Sequence, residues 1–330
     1  MTASSSAPEI LSFGEAMAMF VATSSGDLAE VEHFSRDIAG ADTNVAIGLS
    51  RLGFRVGWLS RVGNDSAGQY LRARLVAEGL DCRFLSTDSE HPTGLLFKER
   101  AAGGADPRVE YMRRNSAASQ LSPEDAGEVD FSALRHLHAT GIPPAVSASC
   151  RELSQQLIQR AREHGASVSF DPNLRPTLWS SESEMRTTLN AMAAHANWVL
   201  PGLSEGQLLT GRDNAHDIAG FYLDQGAEAV VIKLGPEGSY YRGTLTGHDE
   251  SFTVAGVPVS EVIDTVGAGD GFAVGFVSAM LDGLDPRQAL KRANLIGAEQ
   301  VQVLGDMEGL PHRERLQQLE TTRFETGLSM

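Results

Sequence analysis

Apolar and polar residues alternate along this chain in two rhythms, short runs that suit strands and longer stripes that suit helices. Residues 10–14 read as a buried strand closed by a glycine turn, and 17–21 continue with apolar, strand-forming residues. Val45, Leu49 and Leu52 recur at helical spacing after Asp42 or Thr43, and Gly53 stands where a helix C-terminal glycine belongs. Residues 55–62 read as strand, and Asn64 and Asp65 can cap a helix running to about 78, with Gly79 as its stop. Between 82 and 113 the rhythm changes: 93–99 and 109–113 look like strands of an antiparallel excursion, separated by Gly103, Gly104 and Pro107. Beyond it come a strand at 137–141, a helix at 149–164, a strand at 167–170 and a helix at 183–195. Strands at 198–200 and 229–233 follow, then two apolar helices at 268–281 and 286–303. Strands alternating with helices of this length predict an α/β fold with a mostly parallel sheet covered on both faces, the excursion forming a small separate sheet or lid.

Composition narrows the function classes. The 330 residues carry 27 Lys and Arg against 43 Asp and Glu, a formal charge of −16, which disfavours a nucleic-acid binder. Apolar residues make up 42%, as in a folded globular protein. Two cysteines, Cys82 and Cys150, allow at most one bridge, and a reducing cytosol fits best, so a cytoplasmic location is expected. The first eight residues read as a disordered tail without the basic start and apolar stretch of a signal peptide. No apolar run approaches the roughly 18 residues of a membrane span.

The chemistry concentrates in Asp264-Thr265-Val266-Gly267-Ala268-Gly269-Asp270, just before a long apolar helix. With no bulky side chains in the way, the backbone N–H groups of Gly267, Ala268 and Gly269 can approach an anion, and the helix dipole favours negative charge there. A carboxylate beside an anion site is self-defeating unless it works in the reaction. An attacking hydroxyl must lose a proton, and Asp270 can accept it while the amides stabilise the transferred group. Close helix packing by the small residues and simple capping by Asp270 are the structural alternative. No GxxxxGK[ST] occurs, so a P-loop is excluded, and Gly14 standing alone before Glu15 argues against a dinucleotide fold.

This string resembles the C-terminal signature of the ribokinase-like (PfkB) sugar kinases, and the resemblance covers about residues 9–312 with its motifs in the family's order. It implies a ribokinase-like α/β/α sandwich with a small β lid. The lid strands are inserted at about 15–38 and 82–115, and 313–330 form a C-terminal extension. It implies that Asp270 is the catalytic base and that Gly40, Ala41, Asp42 and Asn44, in a second glycine-rich segment, contact the sugar. The loop after 229–233, with Lys233, Gly235 and Gly238, is similar to the family's ATP loop, and Asn294 resembles its adenine-side contact. Glu205 is similar to the acid that organises Mg²⁺, although Gly202 replaces the usual Asn; Ser204 as an N-cap with Glu205 in the first turn is the structural alternative. The implied cofactors are ATP and Mg²⁺, with K⁺ bound beside 264–270 in many members, and lids of this type pair into homo-oligomers.

Pro92-Thr93-Gly94, the run from Tyr111 to Ser119, Gly14-Glu15 and Ser169-Phe170-Asp171-Pro172-Asn173-Leu174-Arg175 look like the 2-keto-3-deoxygluconate kinase branch. An acidic sugar brings a carboxylate, which Arg113 and Arg175 suit through bidentate hydrogen bonding. By the same resemblance Tyr111 and Asp306 complete the sugar site, and Asn173 and Arg175 reach the nucleotide side. Leu96 stands where the branch often carries a tyrosine. The implied reaction is ATP-dependent phosphorylation of a sugar acid at its terminal hydroxyl, with 2-dehydro-3-deoxy-D-gluconate giving its 6-phosphate. A kinase for the galacto epimer, fructose or a ribose-like sugar, and a non-catalytic sugar or nucleotide sensor, are the alternatives.

Overall fold

The computed structural model describes residues 7–100 and 107–325. Gly103, Gly104 and residues 1–6 of the expected tail lie outside them. The first strand, β1 (Ile10–Phe13), is wholly buried, and it is followed by β2 (Met17–Ala22) and β3 (Phe34–Ala39). Helix α1 (Ala41–Arg51), β4 (Val56–Gly63), α2 (Ser66–Ala77), β5 (Leu85–Asp88), β6 (Leu95–Lys98) and β7 (Val109–Met112) complete the N-terminal half. Asp65 caps α2 by accepting the Gly68 N–H, as its position predicts. The middle of the chain alternates β8 (His136–Thr140), α3 (Pro143–Val146), α4 (Ala148–Glu163), β9 (Ser167–Asp171), α5 (Glu182–Ala193) and β10 (Trp198–Val199). Then follow α6 (Leu203–Thr210), α7 (Ala215–Leu223), β11 (Ala229–Lys233), β12 (Gly238–Gly243), β13 (Glu250–Ala255), α8 (Ala268–Leu281), α9 (Pro286–Gln300) and α10 (Arg313–Glu320).

Nine strands form one sheet in the order β13-β12-β11-β10-β9-β8-β1-β4-β5, parallel from β5 through β11 and antiparallel at the β12 and β13 edge. Alternate residues of each strand feed opposite layers. Ile10 and Trp58 join the core under α1, α2, α8 and α9, whereas Leu11, Phe13 and Leu59 join the core under α4 to α7. The strand order reverses at β1, which lies between β4 and β8, and in such sheets ligands bind beyond the carboxyl ends of the strands at that point. The segments there are Gly14-Glu15, Asp171 to Arg175, Pro201 to Glu205 and Lys233 to Gly235.

A second sheet, β3-β2-β6-β7, covers this end as a lid. Its β2/β6 pair is parallel and the other two pairs are antiparallel. The lid is smaller than the residue span 82–115: β5 pairs with Ser60–Gly63 in the large sheet, with Leu85 buried in the core. Residues 313–320 form a helix whose Leu316 and Leu319 enter the same core as α8 and α9.

Candidate active site

The start of α8 sets the geometry. Gly267 takes φ +79°, a left-handed conformation, and a side chain there would meet the Asp306 carbonyl at 2.4 Å, so only glycine lets the chain turn into the helix. Asp270 falls in the first turn, where amides have no intrahelical acceptor and the dipole favours an anion. The Ala268 amide leans back to the Thr265 carbonyl at 3.4 Å, so of the three predicted cradle residues it is the least free to meet an anion. Asp270 is 8% exposed and borders a cavity of about 500 Å³.

Two asparagines hold that carboxylate. Asn44 Nδ2 donates to Oδ2 at 2.8 Å, and Asn173 Nδ2 approaches Oδ1 at 3.4 Å. Burial pushes the Asp270 pKa above the ordinary aspartate value, with the Asn44 hydrogen bond opposing it. Asn44 comes from the first turn of α1, which follows Gly40 at φ +145°. A side chain on Gly40 would meet the Glu15 carbonyl at 2.4 Å. Asp42, on the same turn, is pushed up to about 7 by burial, against the Thr140 hydroxyl and with the charge of Asp270 adding to it. A raised proton affinity at Asp42 relieves its repulsion from Asp270 and suits contact with a sugar hydroxyl.

Unpartnered buried polar atoms gather around this cavity. They include Asp42 Oδ1, Asn44 Oδ1, Asn173 Oδ1, Glu15 Oε1 and Arg113 Nε. Buried polar atoms are almost always satisfied in a folded protein, so a cluster of orphans facing a cavity marks a ligand site. Arg113 leans on Glu15 as an ion pair at 2.5 Å. Arg175 donates to the Leu174 carbonyl at 2.9 Å and lies exposed at the rim, and Tyr111, on β7, is 51% exposed. Asp306 reaches the wall, but its Oδ1 accepts from Lys98 Nζ at 2.9 Å, so this oxygen is already engaged.

A second cavity of about 580 Å³ adjoins the first, with Lys233, Thr265 and Gly269 lining both. Its wall is mostly apolar, with Val257, Val259, Phe272, Ala298 and Val301, and includes Gly235, Gly238 and Ala268. Asn294 is in this wall, but its Nδ2 is committed to the carbonyls of Val254 and Ala255, which fastens α9 to β13. Lys233 stands at the junction, its Nζ 2.5 Å from Asp171 Oδ2. Burial works against its charge, and Asp171 and Glu205 outweigh burial, so Lys233 remains an ammonium. A polar chamber joined at a fixed cation and a helix N-terminus to an apolar chamber fits a small polyol on one side and a nucleobase on the other.

A profile for pfkB family carbohydrate kinases matches residues 7–313. The chain belongs to that family. It is 49% identical over 309 residues to 2-dehydro-3-deoxygluconokinase of Bacillus subtilis (strain 168), covering 93% of this chain and 94% of the relative. The crystal structure of a PfkB protein from Polaromonas sp. JS666 superposes with a TM-score of 0.86 at 48% identity, over 94% of this chain and 99% of that one. A candidate ribokinase II from E. coli, in complex with ATP and Mg²⁺, superposes with a TM-score of 0.84 at 26% identity, over 96% and 100%. This carbohydrate kinase has the ribokinase-like fold expected of it.

Glu205 in this kinase sits differently from a simple first-turn acid. The N-cap of α6 is Gly202, not Ser204, and Glu205 Oε2 reaches back to the Gly202 N–H at 2.6 Å while Oε1 accepts from the Leu174 N–H at 2.8 Å. Each oxygen keeps one lone-pair direction, so Glu205 ties the loop carrying Asn173 to α6 and still faces the polar cavity. Among the described residues no group of three or more His, Cys, Asp or Glu could hold a metal by itself. No helix of the described residues is long and apolar enough to cross a membrane.

Sequence reasoning assigned no role to Lys98 or to Glu15. Leu96 and Lys98 both point inward from β6, so period-two alternation from Leu96 was the signal for Lys98. Glu15 entered only as part of the Gly14-Glu15 resemblance, because its partner Arg113 lies 98 residues away, just past the end of β7.

Proposed function

We propose that this kinase moves the γ-phosphoryl group of ATP to the terminal hydroxyl of a sugar acid, 2-dehydro-3-deoxy-D-gluconate, giving its 6-phosphate. The observation that carries the reading is the Asp270 carboxylate, buried in the wall of the polar chamber, next in sequence to Gly269, which lines both chambers, and in the first turn of α8. The 49% identity to a kinase named for that substrate supports the choice of sugar.

The adenosine occupies the apolar chamber and the phosphates run past Gly269 toward Lys233. The sugar lies in the polar chamber, its hydroxyls against Asp42 and Asn44 and its carboxylate toward Arg113 and Arg175. Asp270 takes the proton from the attacking hydroxyl as the new O–P bond forms and the bond from phosphorus to the ADP oxygen breaks. The amides of the α8 turn and the Lys233 ammonium receive the charge that builds on the transferred group. Lid closure over the sugar keeps water from competing as acceptor. The donor set fits a Mg²⁺ that arrives with the nucleotide: Glu205 would hold it through its remaining lone pairs or through water, with phosphate oxygens supplying the other ligands. When bound, that ion neutralises phosphate charge.

An ADP-release assay over 2-dehydro-3-deoxygluconate, its galacto epimer, fructose and ribose tests this. The reading predicts that the gluconate derivative gives the highest kcat/KM, and that Arg113→Ala raises KM for it at least tenfold with little change in KM for ATP. Preference for fructose, or an unchanged sugar KM in Arg113→Ala, contradicts it.

A further inference from the structure

Lys98 is the last residue of β6, in register with Val21 and Val109, and is 1% exposed. Lysine is almost never buried this deeply without partners. Here Nζ lies 2.7 Å from Asp264 Oδ2 and 2.9 Å from Asp306 Oδ1. Both acids touch the turn that begins α8. Asp264 Oδ1 accepts the Val266 N–H at 3.0 Å, which shapes the approach to Gly267. The Asp306 carbonyl packs where a Gly267 side chain would stand. One ammonium, carried on a lid strand, thus grips both segments that confine Gly267. A lid tie from β3, Asp37 to Arg74 at 3.5 Å, is by contrast partly exposed.

From this geometry we infer that Lys98 is a positioning residue for phosphoryl transfer: it locks the lid sheet to the amide cradle and gives the cradle its shape only when the lid is seated. Two carboxylates converge on Lys98 from chain segments 42 residues apart in number, Asp264 and Asp306, and without the ammonium they repel each other across the turn. Lifting β6 removes the counter-charge and loosens 264–269 at the same time. A buried ion cluster of this kind adds little net stability, and its effect is on which arrangement the surrounding chain adopts. The inference rests on the phosphoryl-transfer reading of the cavity.

The test compares wild type with Lys98→Gln, which keeps N–H donors for the two carboxylates but no charge, and with Lys98→Ala, which leaves room for an added cation. The measurements are kcat and KM for ATP and for the best sugar of the panel, thermal melting, and amide hydrogen exchange of 264–269. The account predicts a kcat loss of at least tenfold in both variants and exchange of 266–269 at least tenfold faster, with β1, β4 and β8 unchanged. Ammonium or methylammonium chloride restores part of the Lys98→Ala rate, and tetramethylammonium does not. Variants that turn over within threefold of wild type, or that merely melt earlier with unaltered kcat and exchange at 266–269, overturn it. If wild type phosphorylates no sugar, the reading of the site fails, and the exchange measurement still decides the role of Lys98.

Discussion

A carboxylate becomes a useful base only when its surroundings raise its proton affinity without removing its access to the reacting hydroxyl. Asp270 meets both conditions, because burial raises its pKa, Asn44 limits the rise, and its oxygens face the polar chamber. The base must be ionised to work, so activity falls as pH drops through its pKa, and that acid limb lies above the ordinary aspartate value of 3.8. The Asn44 N–H stabilises the ionised form, so Asn44→Leu moves the limb of kcat/KM to higher pH; a limb at the same pH in both proteins contradicts this role. At this scale the sequence was most legible where chemistry is local. The string from Asp264 to Asp270 is contiguous, and its small residues announce a close approach. Asn44 was read as a sugar contact, and its bond to Asp270, 226 residues away, appears only once α1 and α8 are brought together. Lys98, Glu15 and the double engagement of Glu205 likewise depend on partners distant in the chain.

The helices that present these residues are held by close backbone approach. A side chain on Gly275 of α8 would come 2.5 Å from Ala293 Cα and 2.7 Å from the Arg292 carbonyl of α9, both backbone atoms that cannot swing aside. In an exposed helix Gly→Ala stabilises by up to about 1 kcal/mol; here overpacking reverses the sign. Gly275→Ala should lower unfolding stability by about 1–3 kcal/mol, read as a lower urea midpoint, and a raised midpoint contradicts the packing. The main parallel strands and helices α1, α2, α4, α5, α8 and α9 were legible because buried runs and capping residues sit next to each other in sequence, as with Asp65 and α2; α7, between β10 and β11, was not predicted. The edge strands β12 and β13 were not. Residues 250–255 do alternate between half-buried and exposed positions, but a short antiparallel edge gains its order from pairing with β11 and β12 rather than from its own apolar content. The expected lid span rested on strands at 93–99 and 109–113 and began at 82, so it took in 85–88, which only the parallel register with Ser60–Gly63 assigns to the large sheet.

Across the whole molecule, the reversal of strand order at β1 opens a crevice, the lid sheet roofs it, and α1 and α8 aim their first turns into it. The acidic surface implied by a charge of −16 makes the few cations inside this crevice, Arg113, Arg175 and Lys233, the features that can attract a phosphorylated nucleotide and an acidic sugar. The fold class and the order of the site segments followed from the sequence rhythm and its family resemblance. The joining of two chambers at Lys233 and Gly269 followed only from the folded chain. The central claim is that Asp270 removes the proton from the sugar hydroxyl at that junction, and one comparison tests it most directly. In Asp270→Asn the account predicts kcat lowered by about 10²–10⁴-fold, with the dissociation constant of a non-hydrolysable ATP analogue within a few-fold of wild type. A variant that keeps near wild-type turnover contradicts it.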